Sequence, residues 1–325
     1  MKKPIKGVNL GGWLVVEKWM TPSLFTNTDA DNEYELTKTV GGDKKIHNHH
    51  QTFITESDIA WLSRVGIEVV RVPIGFWILH GYYDYVSARD RLDWLFEMSK
   101  KYKIKVLLCL HAAPGAQNNN DHSGSGRPGG IPGWYSRLNR LMTRNVLIEI
   151  ANLYGKNSQL WGIELLNEPN APNVWYRYVL WFWVRATMAK LKTTLPSNVR
   201  LVVSDSFDPG WWSGKIDGAT LDIHHYQCFS DEHVNFSTVA QHKEALAKKT
   251  ELYRGLNHQP KIIGEWSAAL PSGLASDRSN REFCEAQLDT SANVDAWFFW
   301  SYKTEGDGHW NFRYLYEQGY FKGHI

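Results

Sequence analysis

The sequence predicts an α/β fold. A single (β/α)₈ barrel fills residues 1–325, with long loops after strands 1 and 3. Three observations predict it. Eight short apolar runs recur along the chain, segments of helical periodicity separate most of them, and polar residues gather where the runs end. Continuous rather than alternating apolar runs are expected of parallel strands covered on both faces. Alternation of strand and helix implies right-handed crossovers in one parallel sheet. Eight repeats favour closure over an open doubly wound sheet, and no GxGxxG follows the first run.

The first run is residues 6–10. An insertion at 22–51 follows it, then a helical segment at 55–65 that opens on a plausible cap (Thr55 or Ser57) and stops at Gly66. A strand is expected at 68–73, a helix at 90–102 and a strand at 105–110. The second insertion, 112–134, carries Gly115, Gly124, Gly126, Gly129 and Gly130 with Pro128 and Pro132. Loops of that length in a compact domain are usually functional or disordered. Both insertions leave the carboxyl ends of strands, so both rise over the face where barrel enzymes keep their chemistry. The remaining helices are expected at 143–154, 175–195, 239–256 and 278–293, and the remaining strands at 162–166, 200–204, 221–225, 261–264 and 296–300.

Composition narrows the function classes. The net charge is +2, and no Lys/Arg block or interleaved basic-aromatic stretch marks a nucleic-acid partner. No stretch is long and apolar enough to span a bilayer; residues 176–188 are apolar but short and include Arg177 and Arg185. No apolar h-region precedes the first strand, so a cytoplasmic location is expected unless a leader has been trimmed. Cys109, Cys228 and Cys284 are odd in number and widely spaced, which argues against a disulfide framework and a zinc site. The 16 Trp, 15 Tyr and 13 Phe fit a large core, or a sugar site whose aromatic planes stack on the C–H faces of pyranose rings.

The chemistry lies at the strand ends. Glu17 follows the first strand, Arg71 and His111 end the second and third, and Asn167-Glu168 the fourth. His224, His225 and Tyr226 close the sixth, Glu265 the seventh and Trp300 the eighth. Each has an ordinary structural explanation alone; Asn167-Glu168-Pro169, for example, could open a helix. Recurrence at one level in seven of eight repeats favours a site. Two carboxylates, Glu168 and Glu265, are the minimum for glycoside hydrolysis, one protonating the leaving oxygen and one ionised at the anomeric carbon. Arg71 is expected to hold Glu265 ionised, and an opposing carboxylate to push Glu168 upward. Asn167 suits a sugar 2-hydroxyl, and Tyr226 suits orientation of the nucleophile. Of His224 and His225, adjacent on a strand, at most one faces the barrel mouth. His47, His49 and His50 lack the paired Cys or carboxylates of a metal site. Asp121, His122 and Ser123 are adjacent in one loop, the wrong arrangement for a triad, and no GxSxG accompanies them.

These motifs resemble glycoside hydrolase family 5, most nearly its exo-β-1,3-glucanase branch. The matching strings include residues 7–17 (GVNLGGWLVVE), 21–25 (TPSLF), 52–55 (TFIT), 70–74 (VRVPI), 111–118 (HAAPGAQN), 166–169 (LNEP), 222–227 (DIHHYQ), 264–267 (GEWS) and 300–303 (WSYK). The resemblance implies a retaining enzyme without metal or organic cofactor, acting on a β-glucan oligosaccharide or β-glucoside. It implies Glu168 as acid/base, Glu265 as nucleophile, and Arg71, His111, Asn167, His224 and Tyr226 as supporting residues. Glu17 and Trp300 match residues that hold the terminal glucose. Fungal members carry Gly-Phe-Asp where this chain has Asn119-Asn120-Asp121. Their phenylalanine clamps the sugar beyond the scissile bond with an aromatic partner, here Phe229; Asn120 cannot stack in that way. Relatives act on glycolipids, sterol glucosides and flavonoid glycosides. Hence three readings are carried forward: an exo-β-1,3-glucanase, a β-glucosidase for a lipid, sterol or aryl glucoside, and a catalytically silent carbohydrate-binding barrel. An exposed apolar patch near 22–51 would favour the second, and loss of a glutamate the third.

Overall fold

The computed structural model describes residues 3–82, 84–125, 130–257 and 260–325. Eight strands close a barrel in sequence order: β1 (Ile5–Asn9), β2 (Val69–Gly75), β3 (Lys105–Ala112), β4 (Leu160–Glu164), β5 (Arg200–Ser204), β6 (Thr220–His225), β7 (Lys261–Trp266) and β8 (Ala296–Phe299). Every neighbouring pair is parallel, including the closing pair β1–β8. The (β/α)₈ expectation is met.

The barrel interior is layered, because alternate residues of a strand point inward. The lower layer is apolar: Val69, Leu107, Trp161, Val202, Ile262, Ala296 and Phe298 pack as one cluster. Gly7 makes room there, since any side chain on it would run into the Phe298 ring. Two residues further along β2 and β3, Arg71 and Cys109 form a polar layer with Asp222 and Glu164, all fully buried. Outside the strands, residues of opposite parity such as Val70, Val72, Leu108, Ile223 and Ile263 join the main core beneath the helices.

One irregularity matters for the site. Ile223 of β6 pairs with Ile263, but His224 pairs with Glu265, so β7 carries one extra residue at this point. Simple alternation from inward-facing Ile262 would send Glu265 outward. The extra residue, Gly264, lets Glu265 face inward too, the usual effect of a β-bulge. Gly264 is required sterically, because a Cβ there would collide with the Asp222 carboxylate.

The helices track the sequence pattern with shifted ends. Glu56–Arg64, Arg89–Tyr102, Val239–Gly255 and Asp277–Ser291 lie within a few residues of expectation. Helix Arg137–Tyr154 starts well before residue 143, because the Ser136 side chain accepts from Asn139 N–H and caps it there. Helix Val174–Leu191 is capped by Asn173, so Glu168-Pro169 does not open a helix. Between β5 and β6 only a short turn of helix, Pro209–Trp212, intervenes.

The insertion at 22–51 is more ordered than its polar sequence suggested. It contains helices Glu33–Thr37 and Gly42–Thr52. His47, His49 and His50 ride on the second. Nε2 of His49 lies 2.7 Å from Gly12 O, and His50 is buried, so both serve packing against the β1 loop. In the second insertion, Gly126, Pro128 and Gly129 lie outside the described residues. No helix among the described residues is long and apolar enough to cross a membrane. The three cysteines are free.

Candidate active site

Arg71, in the middle of β2, organises the carboxyl end of the barrel. Its Nε donates to Glu164 Oε2 at 2.8 Å, and its Nη1 donates to Asn9 Oδ1 and Glu265 Oε1, both at 2.8 Å. Its Nη2 donates to Asn167 Oδ1 at 2.8 Å and lies 3.4 Å from His224 Nε2. Asp222 Oδ2 is 3.7 Å from Nε. A planar guanidinium presents five N–H donors in a fixed fork, and here one side chain sets the positions of residues on β1, β4, β7 and the loop after β4. Burial works against its charge, but Cys109, Glu164, Glu265 and Asp222 around it raise its pKa well above the ordinary value.

Glu265 is thus held at both oxygens: Oε1 by Arg71, and Oε2 by the Tyr226 hydroxyl, which donates at 2.8 Å. Beyond β4 the chain stays extended: Leu165 N–H bonds Val202 O and Asn167 N–H bonds Leu110 O. This carries Glu168 to the rim. Glu168 sits at φ +43°, a left-handed conformation uncommon outside glycine. Gln117 braces that turn, donating from Nε2 to Asn167 O at 3.0 Å and to His111 O at 2.7 Å.

His224 joins the two glutamates. Its Nδ1 lies 2.6 Å from Glu168 Oε1 and 3.5 Å from Glu265 Oε2, and its Nε2 lies 3.6 Å from Asp222 Oδ2. One oxygen of Glu168 and one of Glu265 are within 4.8 Å of each other. His225 points the opposite way and is buried edge-on against Tyr253.

The pKa directions of the two glutamates in the resting site are opposite to those expected from the sequence. Burial pushes Glu168 upward, but the His224 hydrogen bond and charge, with His122 and Arg71, overcome it and hold Glu168 at about 2. Glu265 is raised instead, because burial outweighs His224 and Arg71, and Glu168 adds to the rise. His224 is raised well above its usual range: burial opposes its charge, but Glu265, Asp222 and Glu168 win. Glu164, with Arg71 as its cation, is nonetheless pushed to about 7 by burial and by Asp222.

Above this layer opens a cleft of about 520 Å³ lined by Glu17, Trp19, His111, Asn120, Asp121, His122, Glu168, Phe207, Tyr226, Phe229, Glu265, Trp300 and Trp310. The volume lies within the usual range of small-molecule sites. His111 stacks on Trp300 at 5.4 Å with planes 9° apart, and burial drives its pKa well below the usual range. Glu17 accepts from Trp19 Nε1 at 2.9 Å through Oε2, while its buried Oε1 has no hydrogen-bond partner among the described residues. Burial, with Asp121, Glu265 and Glu168 nearby, raises Glu17 to about 8 against the Trp19 bond. Phe229 does not face an aromatic at 120; it stacks on Trp310 at 5.8 Å and meets Tyr226 edge-on.

All eleven expected site residues converge here, nine along the cleft or against its glutamates and Arg71 and Asn167 just beneath. Sequence reasoning missed Glu164, Trp19, Trp310, Phe207 and His122. Glu164 had a visible signal, an acid inside an apolar strand. Trp19 and Trp310 lie in loops after β1 and β8, where the strand-end rule points. His122 belongs to no triad: Ser123 Oγ donates to Asn120 O, and His122 Nε2 lies 2.8 Å from Asn118 Nδ2 and 3.5 Å from Glu168 Oε2. Two sets of three potential metal ligands occur among the described residues, Glu164–Asp222–His224 and Glu168–His224–Glu265. The Arg71 guanidinium already pairs with Glu164 and Glu265 of these sets, and a divalent ion in either would face its charge.

Comparison with known proteins agrees with this geometry. The Cellulase family (glycosyl hydrolase family 5) matches residues 32–306. A probable glucan 1,3-beta-glucosidase A of Emericella nidulans is 31% identical, covering 99% of this chain and 90% of the relative. A glucan 1,3-beta-glucosidase of Blumeria graminis is 31% identical over 97% of this chain and 86% of its own. Among solved structures, a rutinosidase from Aspergillus niger superposes with TM-score 0.83 at 21% identity, covering 99% of this chain and 98% of the other. Eight parallel strands, two glutamates at the ends of β4 and β7, and a family match over most of the length lead to one assignment: this chain is a glycoside hydrolase and belongs to glycosyl hydrolase family 5.

Proposed function

We propose that this protein is a retaining, exo-acting β-glucosidase that releases glucose from the non-reducing end of β-1,3-linked gluco-oligosaccharides. The observation that carries the mechanism is the approach of Glu168 and Glu265 to within 4.8 Å. Retaining glycosidases hold their carboxyl groups about 5–5.5 Å apart, whereas inverting ones need roughly 6.5–9.5 Å to admit water. Glu265 Oε2 attacks the anomeric carbon as the glycosidic C–O bond breaks. Glu168 delivers to the leaving oxygen the proton it shares with His224, then takes a proton from the water that hydrolyses the glycosyl-enzyme. Tyr226 and Arg71 hold the nucleophile's two oxygens, and Asn167, fixed by Arg71, lies just beneath the cleft floor beside them. Glu17 Oε1 supplies an unsatisfied polar atom for a terminal-sugar hydroxyl.

A second reading, hydrolysis of a lipid, sterol or aryl β-glucoside, draws support from Phe207 and Phe229, which stand 62% and 69% exposed along the cleft, and from Asn120 in place of an aromatic. The apolar patch sought at 22–51 is slight, comprising Tyr34 and Val40 among the described residues. A silent binding barrel is disfavoured by two intact glutamates in close approach. Timed proton NMR with laminaritriose beside an alkyl β-glucoside separates the readings. Early β-glucose from the trisaccharide is the expected result, and cleavage of the alkyl glucoside alone would transfer the assignment to the aglycone reading.

The acid/base role has its own signature. Glu168→Ala should slow hydrolysis of poor leaving groups by roughly 10²–10⁴-fold. Activated aryl glucosides should still form the glycosyl-enzyme, and azide should rescue its breakdown as β-glucosyl azide. Loss of turnover indifferent to leaving group and to azide would remove Glu168 from that role.

A further inference from the structure

Helix Val174–Leu191 is apolar almost all round, yet it lies on the surface. Its inner face carries Leu180, Trp183, Val184 and Met188 into the core. Its outer face exposes Val174, Trp175, Tyr178 and Phe182, with Trp175 69% and Phe182 63% exposed. The neighbouring helix Arg137–Tyr154 exposes Leu138 and Leu141 near its start. The two helices lie side by side, joined by Trp183 Nε1 donating to Arg140 O and Arg144 Nε donating to Thr187 Oγ1. Both follow the carboxyl ends of strands, so this apolar surface begins at the catalytic end of the barrel.

Charge on the two helices is mostly of one sign. The two helices carry six cations against a single acid, Glu149, which pairs with His80; Arg140 and Arg144 are partly buried and Arg177 is half-buried, while Arg137, Arg185 and Lys190 are exposed. The whole chain is only +2, so the excess is local. Arg185 covers Trp181 at 4.8 Å, and Arg177 covers Trp211 at 5.4 Å while pairing with Asp208. An exposed apolar cluster of this kind marks an interaction surface.

We propose that this face binds an anionic lipid surface, with Trp175, Tyr178 and Phe182 entering the interfacial layer and the arginines meeting headgroup phosphates. Charge complementarity selects this partner. A second copy of the chain would bring like-charged faces together, which is unfavourable. A neutral glucan offers nothing to the cation excess. The inference is independent of which glucoside the cleft cleaves.

The test is co-sedimentation of the full chain with vesicles of equal phosphatidylcholine and phosphatidylserine, beside vesicles of phosphatidylcholine alone. Binding to the anionic vesicles, weakened by salt, is expected. Trp175→Ser with Phe182→Ser, and separately Arg137→Gln with Arg185→Gln, should each weaken it on the order of tenfold or more. The melting transition, followed in parallel, shows that the variants fold. Absence of binding to anionic vesicles would overturn the proposal. So would binding that both folded variants retain, self-association through this face, or adsorption to insoluble glucan in place of vesicles.

Discussion

Glu265→Gln is expected to abolish turnover, lowering kcat by at least on the order of 10⁴-fold while the protein remains folded. The amide is isosteric, and its oxygen can still accept from Arg71 Nη1 or from Tyr226, each now 2.8 Å from the carboxylate. What disappears is the charge that attacks the anomeric carbon. Glu164 lies in the layer below, bonded to Arg71 Nε, and the cleft's other carboxylates, Glu168, Glu17 and Asp121, lack the paired Arg71 and Tyr226 contacts that hold Glu265. Rapid-quench measurement with an activated fluoroglucoside should show no burst and no covalent adduct by mass spectrometry. A variant that retained wild-type turnover would place the nucleophile elsewhere. The effect also differs in kind from Glu168→Ala, because azide has no glycosyl-enzyme to intercept.

The second large effect is on stability. Arg71→Leu should destabilise the fold by about 3–5 kcal/mol, the range for removing one partner of a buried ionic network. The guanidinium is fully buried and is the cation shared by Glu164, Asp222 and Glu265. Without it the three carboxylates must take up protons or remain uncompensated. The pH dependence gives the diagnostic. In the wild-type protein Glu17 and Glu33 are raised to about 8, chiefly by burial, and Glu164 and Asp205 to about 7 for the same reason. An acid whose folded pKa is raised binds its proton more tightly when folded. Its stabilising contribution is complete below the unfolded value and is lost as pH rises through 7–8. At the acid end burial holds His49 at about 4 and His50 and His225 at about 3, so these imidazoles resist charging and stability falls as pH drops below their unfolded value. Urea denaturation of the wild type should therefore show falling stability from pH 6 toward pH 9. In Arg71→Leu the alkaline slope should be steeper, because more carboxylates carry raised values. Parallel curves for the two proteins would mean that Arg71 does not set the charge balance of the barrel interior.

Much of the architecture was legible in the chain because its causes are local or periodic. Continuous β-branched runs betrayed parallel strands, and the cap at Thr55 marked a helix start. Glu168 and Glu265 were visible because each ends an apolar run, and adjacency in a strand correctly sent His224 and His225 to opposite faces. Helices inside 22–51 were hidden because their segments carry few apolar residues; Leu36 and Ile46 find their partners in Val16 and Phe25, outside their own helices.

The sequence by itself determined the fold class, the identities of the residues at the strand ends and the kind of chemistry two carboxylates perform. The tertiary structure alone decided three things. The bulge at Gly264 turned Glu265 inward where alternation would have sent it out. Arg71 became the common partner of residues from different strands. And His224 was brought between Glu168 and Glu265. The physical reason is the same in each case. Register shifts, hydrogen-bond geometry and the competition between burial and neighbouring charge depend on distances between residues far apart in the chain, and those distances exist only once the barrel has closed.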